Sequence, residues 1–346
     1  MNSFFERQFR LQEYHSSVST EILAGLTTFA TMGYVLAVVP HMMGEAGVPT
    51  GAMLTGMVLM IFATSMAMGL YTNRPFALAP GMGSVAIFSI TMVQLQNVPI
   101  SVASAIVFLS GVLFILVTVL GIRKFIVMTI PRGIKISISA GVGIFLAVIG
   151  MRNAKLIAVN TKKVALSFGD LTQPVVILAA ITFVILLMLT ARKVRGAALI
   201  SILAGTVIGI PMGITKIPES ILRMPDSIAP IFFNFDLVGA LDLQYLPFLF
   251  AFFLPDFFSS FGTAIGIGGK AGFLDKNGDL PGLDKVFHVD SIAATVGSFF
   301  TIPVLITYLE SGAGVEAGGR TGLTACTTAV AFLLTLAVTP LALMIP

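Results

Sequence analysis

Long apolar runs constrain this chain more than any other feature, because about 20 consecutive apolar residues can cross a bilayer as a helix. Of its 346 residues, 56% are hydrophobic and only 10% are charged, whereas a soluble domain carries about 25% charged residues. No globular core could absorb so much apolar sequence. The sequence therefore predicts an all-α polytopic membrane protein.

The spacing of these runs predicts eleven membrane segments. In chain order they cover 20–40, 50–70, 76–94, 99–121, 134–151, 172–191, 196–214, 244–267, 287–302, 303–318 and 321–345. Most of the 20 Lys and Arg residues fall in inner loops if the N-terminus is cytoplasmic, which is the orientation that basic loops favour. In residues 1–19 phenylalanines alternate with charges, which predicts either an amphipathic leader on the cytoplasmic face or a frayed polar one.

Segments 3 and 10 have interrupted patterns. Segment 3 has Pro80, Gly81 and Gly83 near its start, and segment 10 has a glycine cluster after Glu310. Each pattern predicts an extended piece followed by a half-helix. Such backbone is tolerated at membrane depth only where it is buried in protein or lines a wet cavity. Interruptions at matching places in two halves indicate inverted repeats with a binding site near the midplane.

Glu310 is the first candidate functional residue. An ionisable residue at membrane depth is a functional-site hypothesis by default, and a desolvated carboxyl group can exchange a proton near neutral pH. The alternative is that Glu310 forms one half of a structural ion pair. Glu316 and Arg320 are four residues apart, a spacing that predicts a helical salt bridge between them.

Asp256 is the second candidate. Pro255 before it can free backbone carbonyls for a ligand or water, and Ser259 lies one turn away on the same helix face. An Asp without a basic neighbour in its segment should face the bundle interior, where it binds substrate or fixes packing. Asp290 is predicted to cap the start of segment 9. Thr28 is expected either to donate to a substrate or to bond its own helix backbone.

Catalytic patterns are absent from the sequence. It has no metal-ligand cluster, no nucleophile–base pair and no phosphate loop within a βαβ unit, so we expect no enzyme activity, no cofactor and no metal site. The basic residues lie in short loops between segments, which excludes a nucleic-acid partner as the meaning of the net positive charge.

Four stretches carry a family resemblance. They are T-E-I-L-A-G-L-T-T-F at 20–29, P-F-A-L-A-P-G-M-G at 75–83, A-G-F-L-D-K-N-G at 271–278 and Y-L-E-S-G-A-G-V-E-A-G-G-R-T-G-L-T-A at 308–325. In this order along the chain they resemble the azaguanine-like adenine/guanine/hypoxanthine permeases of the nucleobase–cation symporter-2 superfamily. The resemblance implies two inverted seven-segment repeats, with short antiparallel strands in segments 3 and 10.

The resemblance also implies a domain organisation. Residues 1–19 would be the leader, 20–121 and 244–346 the two halves of a core domain, and 122–243 the first half of a gate domain. Gate segments 12–14 of the family would be absent, so that about 11 of 14 segments are present and the chain is a short or truncated member.

The implied function is proton-coupled uptake of purine nucleobases across the plasma membrane, driven by movement of core against gate. The implied partners are the nucleobase, the proton and the lipid bilayer, with a homodimer as one option for assembly. Two alternatives stay open at this point. One is a carrier of an anion or carboxylate on the same fold, and the other is an inactive truncated remnant.

The resemblance assigns the principal site residues by position. Glu310 would bind the base and take part in proton coupling. Tyr308 and Leu309 would offer ring and backbone contacts from segment 10. Gly83 and Ser84 of segment 3 would face the base from the other side.

Three departures from the family pattern affect the predicted site. Ser259 stands where the family has a second carboxylate after Asp256, Val85 stands where it has Asn, and residues 302–306 are apolar where it has hydroxyls. We still expect Ser259 and Thr28 to contact substrate and Asp256 to share in proton coupling. Since buried polar groups discriminate strongly between ligand edges, these departures predict a changed preference among bases.

Overall fold

The computed structural model describes residues 2–122, 154–160, 165–194, 196–218, 222–276 and 279–345, with a few isolated positions between 141 and 152. Predicted segment 5 (134–151) lies largely outside the described residues. Six helical stretches in the described chain are long and apolar enough to cross a membrane. The polytopic architecture expected from the sequence is therefore present.

The described chain is mostly helical. Its α-helices are α1 Asn2–Phe9, α2 Val18–Met32, α3 Val35–Glu45, α4 Thr50–Ala67, α5 Met82–Ala86, α6 Ile100–Val119, α7 Pro174–Ala191, α8 Ala197–Gly209, α9 Leu237–Ala240, α10 Leu246–Lys270, α11 Leu283–Ser298, α12 Ser311–Glu316, α13 Gly322–Leu334 and α14 Thr339–Leu343. Wider π-helical turns follow α4 and α5 at Met68–Thr72 and Ile87–Leu95, and short 3₁₀ turns occupy Ala229–Ile231, Leu243–Tyr245 and Thr335–Val338. The strands are β1 Leu78–Pro80, β2 Ile157–Asn160, β3 Ala165–Phe168 and β4 Leu305–Thr307.

Strands β1 and β4 form a small, fully buried sheet, which we call the strand crossing. They pair antiparallel, with Leu78 opposite Thr307 and Pro80 opposite Leu305. Two more backbone bonds extend the ladder, from Gly81 N to Val304 O and from Tyr308 N to Ala77 O, each 2.9 Å long. The pairing satisfies backbone groups that have no helical partner, which an apolar environment requires. The predicted plan of an extended piece followed by a half-helix is confirmed in both segments.

Small residues let helix α2 approach the second half of the chain closely. A Cβ built on Gly25 would lie 2.6 Å from the backbone oxygen of Thr324, and one on Gly314 would lie 2.8 Å from that of Ala24. Glycine is needed at such positions because any side chain would force the helices apart. This packing fixes α12 and α13 against α2, and so fixes the short helix that follows Glu310.

Segment 1, predicted at 20–40, is one candidate membrane span that runs from Val18 to Glu45. It is divided into α2 and α3 at Gly33 and Tyr34. The break coincides with a tight contact, because a Cβ on Gly33 would lie 3.0 Å from a methyl group of Leu199 in α8.

The prediction that Asp290 caps segment 9 is wrong. Helix α11 begins at Leu283 instead of 287, so Asp290 lies in its interior and is fully buried. The apolar run starts after the polar first turn, and hydrophobicity alone therefore placed the helix start too late.

The predicted Glu316–Arg320 salt bridge is also wrong. Glu316 pairs with Lys270 at 2.6 Å, whereas the Arg320 guanidinium donates to the carbonyls of Val315 and Gly319. Helix α12 ends at Glu316, so the two residues do not share a helical face. The hairpin of β2 and β3 was not predicted from the sequence either.

Candidate substrate-binding site

A cavity of about 420 Å³ lies beside the strand crossing, within the range typical of small-molecule sites. Its walls come from the α2–α3 break, from the ends of both strands and from one face of α10. The lining residues are Tyr34, Gly81, Met82, Gly83, Ile87, Pro255, Asp256, Phe258, Ser259, Gly262, Thr263, Ile306, Thr307, Tyr308, Leu309 and Glu310. Two carboxylates and several hydroxyls thus face a mostly apolar space.

Glu310 stands at the junction between β4 and α12. It is half-buried, and its Oε1 accepts a hydrogen bond of 2.8 Å from the Tyr34 hydroxyl. The ion pairs formed among the described residues do not include it, which removes the structural ion pair considered from the sequence. The chain therefore presents a carboxylate to the cavity with a neutral donor as its side-chain partner.

Asp256 faces the same cavity from helix α10. Its side chain is buried, and its Oδ2 accepts a hydrogen bond of 2.5 Å from the Ser84 hydroxyl. A Cβ built on Gly81 would lie 3.2 Å from Asp256 Oδ1, so the carboxylate sits against the end of β1. Asp256 therefore lines the cavity and also ties α10 to the segment 3 half-helix through Ser84.

The structure brings most of the predicted site residues together. Gly83, Ser259, Tyr308 and Leu309 all line the cavity with the two carboxylates. The Tyr308 hydroxyl donates to the carbonyl of Pro80 at 2.5 Å, so its ring forms a fixed wall. Leu309 keeps a largely exposed side chain.

Two predicted contacts lie behind the cavity. Ser84 is not among the lining residues and reaches the site only through Asp256. Thr28 is fully buried, and a Cβ on Gly314 would lie 2.1 Å from its hydroxyl oxygen. It belongs to the packing of α2 against α12, away from the cavity, because helix packing turns its side chain toward a neighbouring backbone.

Two polar contacts were missed from the sequence. One is Tyr34, the donor to Glu310, and the other is Thr307, whose hydroxyl donates to Asp290 Oδ1 at 2.7 Å. A polar aromatic residue directly after Gly33 in an apolar segment is the signal that could have identified Tyr34. The predicted strand could have identified Thr307, because alternate residues of a strand share a face.

Comparison with known proteins identifies the family of the chain. Residues 19–346 match a family model described as a permease family, that of the xanthine/uracil permeases. The chain is 39% identical to a permease of Methanocaldococcus jannaschii over 99% of its length and 78% of that protein. It is 36% identical to the adenine permease AdeP of Escherichia coli, covering 99% of this chain and 76% of AdeP. It is 35% identical to the guanine/hypoxanthine permease PbuO of Bacillus subtilis, covering 96% and 78%.

The fold also resembles solved membrane domains of transporters. The transmembrane domain of the cyanobacterial bicarbonate transporter BicA superposes with a TM-score of 0.69 at 17% identity, over 94% of this chain and 84% of that one. Likeness at this level of identity concerns the fold alone. With a family match over nearly its whole length and several membrane-spanning helices, the chain is a multi-pass membrane protein that belongs to the xanthine/uracil permease family.

Proposed function

We propose that this protein is a secondary active transporter that takes up purine nucleobases together with protons across the plasma membrane, with its N-terminus in the cytoplasm. The observation that carries the proposal is the Glu310 carboxylate at the strand crossing, half-buried and facing a cavity of about 420 Å³. The relatives named as adenine and guanine/hypoxanthine permeases support the choice of substrate class.

The lining suits a flat heteroaromatic ligand. Phe258, Tyr308 and Ile306 give aromatic and aliphatic surface, against which a purine ring can pack. Purine bases also carry N–H donors, and ionised carboxylates accept hydrogen bonds without donating any. Glu310 and Asp256 would therefore bind base N–H groups from two sides of the ring.

Proton coupling follows from the charge of the site. A neutral base cannot compensate a carboxylate that must move through the apolar part of a membrane, where an uncompensated charge is costly. A proton taken up with the base would compensate one of the two carboxylate charges that line the cavity. The binding site would then move across the membrane readily only when the base and the proton are both bound.

The moving unit would be a core domain of residues 20–121 and 244–346, working against gate residues 122–243 and preceded by a leader at 1–19. Pairing of β1 with β4 supports one body for the two core parts. Gate helix α8 contacts α2 through Leu199 against Gly33 and through Gly196 against Ala30. Segments 3 and 10 would then be the third members of two inverted repeats.

Transport of an anion or carboxylate is the competing function. We consider it because a bicarbonate transporter is among the proteins of similar fold. Two carboxylates line the cavity, and no Lys or Arg of the described chain lines it. Like charges would repel an anionic ligand. The charge of the site thus favours a neutral substrate with N–H donors.

Uptake into proteoliposomes tests the proposal. We expect labelled adenine, guanine or hypoxanthine to accumulate under an inward proton gradient, and accumulation to stop when an uncoupler dissipates it. Glu310→Gln should lose gradient-driven accumulation. The matched control is Glu316→Gln on the same short helix, since Glu316 is exposed and paired with Lys270, and it should retain uptake. Competition by sulfate or dicarboxylates but not by any base would overturn the assignment.

A further inference from the structure

The Tyr34 hydroxyl donates a hydrogen bond to one of the two oxygens of the Glu310 carboxylate. The bond from Tyr34 to Oε1 is 2.8 Å long and joins residues 276 positions apart in the sequence. Both side chains line the same cavity. In the described chain, Oε2 accepts no side-chain hydrogen bond.

The backbone around Tyr34 holds this hydroxyl in place. Tyr34 lies between α2 and α3, and its carbonyl accepts bonds from Ala37 N and Val38 N in the first turn of α3. The preceding Gly33 abuts Leu199 of α8. Because Tyr34 is already ordered, its hydroxyl can bond the Glu310 carboxylate without a further loss of conformational entropy when ligand binds.

We propose that Tyr34 determines base specificity by engaging Oε1 of Glu310, so that the carboxylate offers Oε2 to a single N–H of the base. This inference rests on the proposed function and deepens it. A base with one N–H on the recognised edge leaves the Tyr34 bond intact. A base with two adjacent donors needs both oxygens for a bidentate contact and must displace the tyrosine hydroxyl.

Hypoxanthine and guanine provide the discriminating pair. They share the ring N–H next to the six-membered-ring carbonyl, and guanine adds a 2-amino donor beside it. Guanine binding through both donors would break the hydrogen bond between the Tyr34 hydroxyl and the Glu310 carboxylate, which carries a penalty. The unmodified chain should therefore prefer hypoxanthine, and removal of the hydroxyl should relieve the discrimination.

Tyr34→Phe tests this directly. Inhibition of labelled adenine uptake by unlabelled guanine and hypoxanthine gives a ratio of two inhibition constants. We expect the ratio to shift toward guanine by about tenfold, the size expected for one hydrogen bond to a charged group. Tyr245→Phe makes the same chemical change outside the cavity lining and should leave the ratio unchanged.

The possible outcomes separate the two proposals. An unchanged ratio in Tyr34→Phe, with both bases still competing, overturns the role of Tyr34 and leaves the transport proposal standing. If labelled adenine is taken up but neither base competes in the unmodified chain, the Tyr34 proposal fails and the transport proposal stands, whereas absence of uptake for every labelled base overturns both. If Tyr34→Phe does not fold, Tyr34→Met also lacks a donor, and ligand-induced thermal shifts with each base replace uptake as the measurement of the same ratio.

Discussion

The two arms of the strand crossing share a backbone plan but differ in chemistry. The first arm, β1 with α5, carries no ionisable side chain, and its carboxylate partner Asp256 comes from α10. The second arm, β4 with α12, carries Glu310 itself and receives a neutral donor, Tyr34, from the break in segment 1. The two arms thus share the same backbone arrangement, but the carboxylate of the first arm comes from another helix and that of the second arm from the arm itself.

Each arm is also held by a hydroxyl-to-aspartate bond. Ser84 of α5 donates to Asp256, and Thr307 of β4 donates to Asp290. Asp256 lines the cavity, whereas Asp290 is fully buried and is not among the lining residues. Similar contacts can therefore have different roles. The Ser84–Asp256 bond should affect ligand binding, whereas the Thr307–Asp290 bond should hold strand β4 in position.

Asp256→Asn should have the largest effect in this comparison. It keeps the size of the side chain and an acceptor for Ser84, but removes the charge that would bind a base N–H. We expect uptake to fall by about a hundredfold, as for loss of a charged hydrogen-bond partner, with little change in melting temperature. A variant that transports normally would make Asp256 a packing residue and contradict the difference drawn between the two aspartates.

Thr307→Val should mainly lower stability. The substitution keeps the shape of the side chain and removes a buried donor to a carboxylate, which costs about 1–3 kcal/mol. Thermal unfolding in detergent measures the loss. Ser291→Ala is the control, because the Ser291 hydroxyl donates within its own helix, to the carbonyl of His288. Equal melting temperatures for the two variants would show that the Thr307 bond does not anchor β4.

Ser84→Ala should have the smallest effect. Asp256 would keep its charge and its place in the cavity, but one positioning donor would be lost. A net contribution of about 1.5 kcal/mol is the lower end for a hydrogen bond to a charged group, so we expect an increase of about tenfold in the KM for the base. An effect as large as that of Asp256→Asn would mean that the serine itself contacts the ligand.

The sequence predicted the backbone of the site better than its side-chain partners. Interruptions at Pro80 and after Glu310 are local signals, and the strand–half-helix units appear where they predicted them. The partners of Glu310 and Asp256 lie 276 and 172 residues away, and periodicity carries no information on such pairs. Thr28 shows the same limit, because nothing local in the sequence indicates that its side chain packs against Gly314.

The crossing of β1 and β4 also bears on how the protein is made. Pro80 and Tyr308, bonded at the crossing, lie 228 residues apart in the chain. During synthesis β1 therefore enters the membrane long before its partner strand exists, and its backbone groups need temporary partners until then. Contacts over such a sequence separation form late, because the cost of closing a long loop precedes any gain. The ligand cavity is thus a product of the last steps of assembly, and substitutions that weaken the crossing should reduce the yield of folded protein before they alter transport.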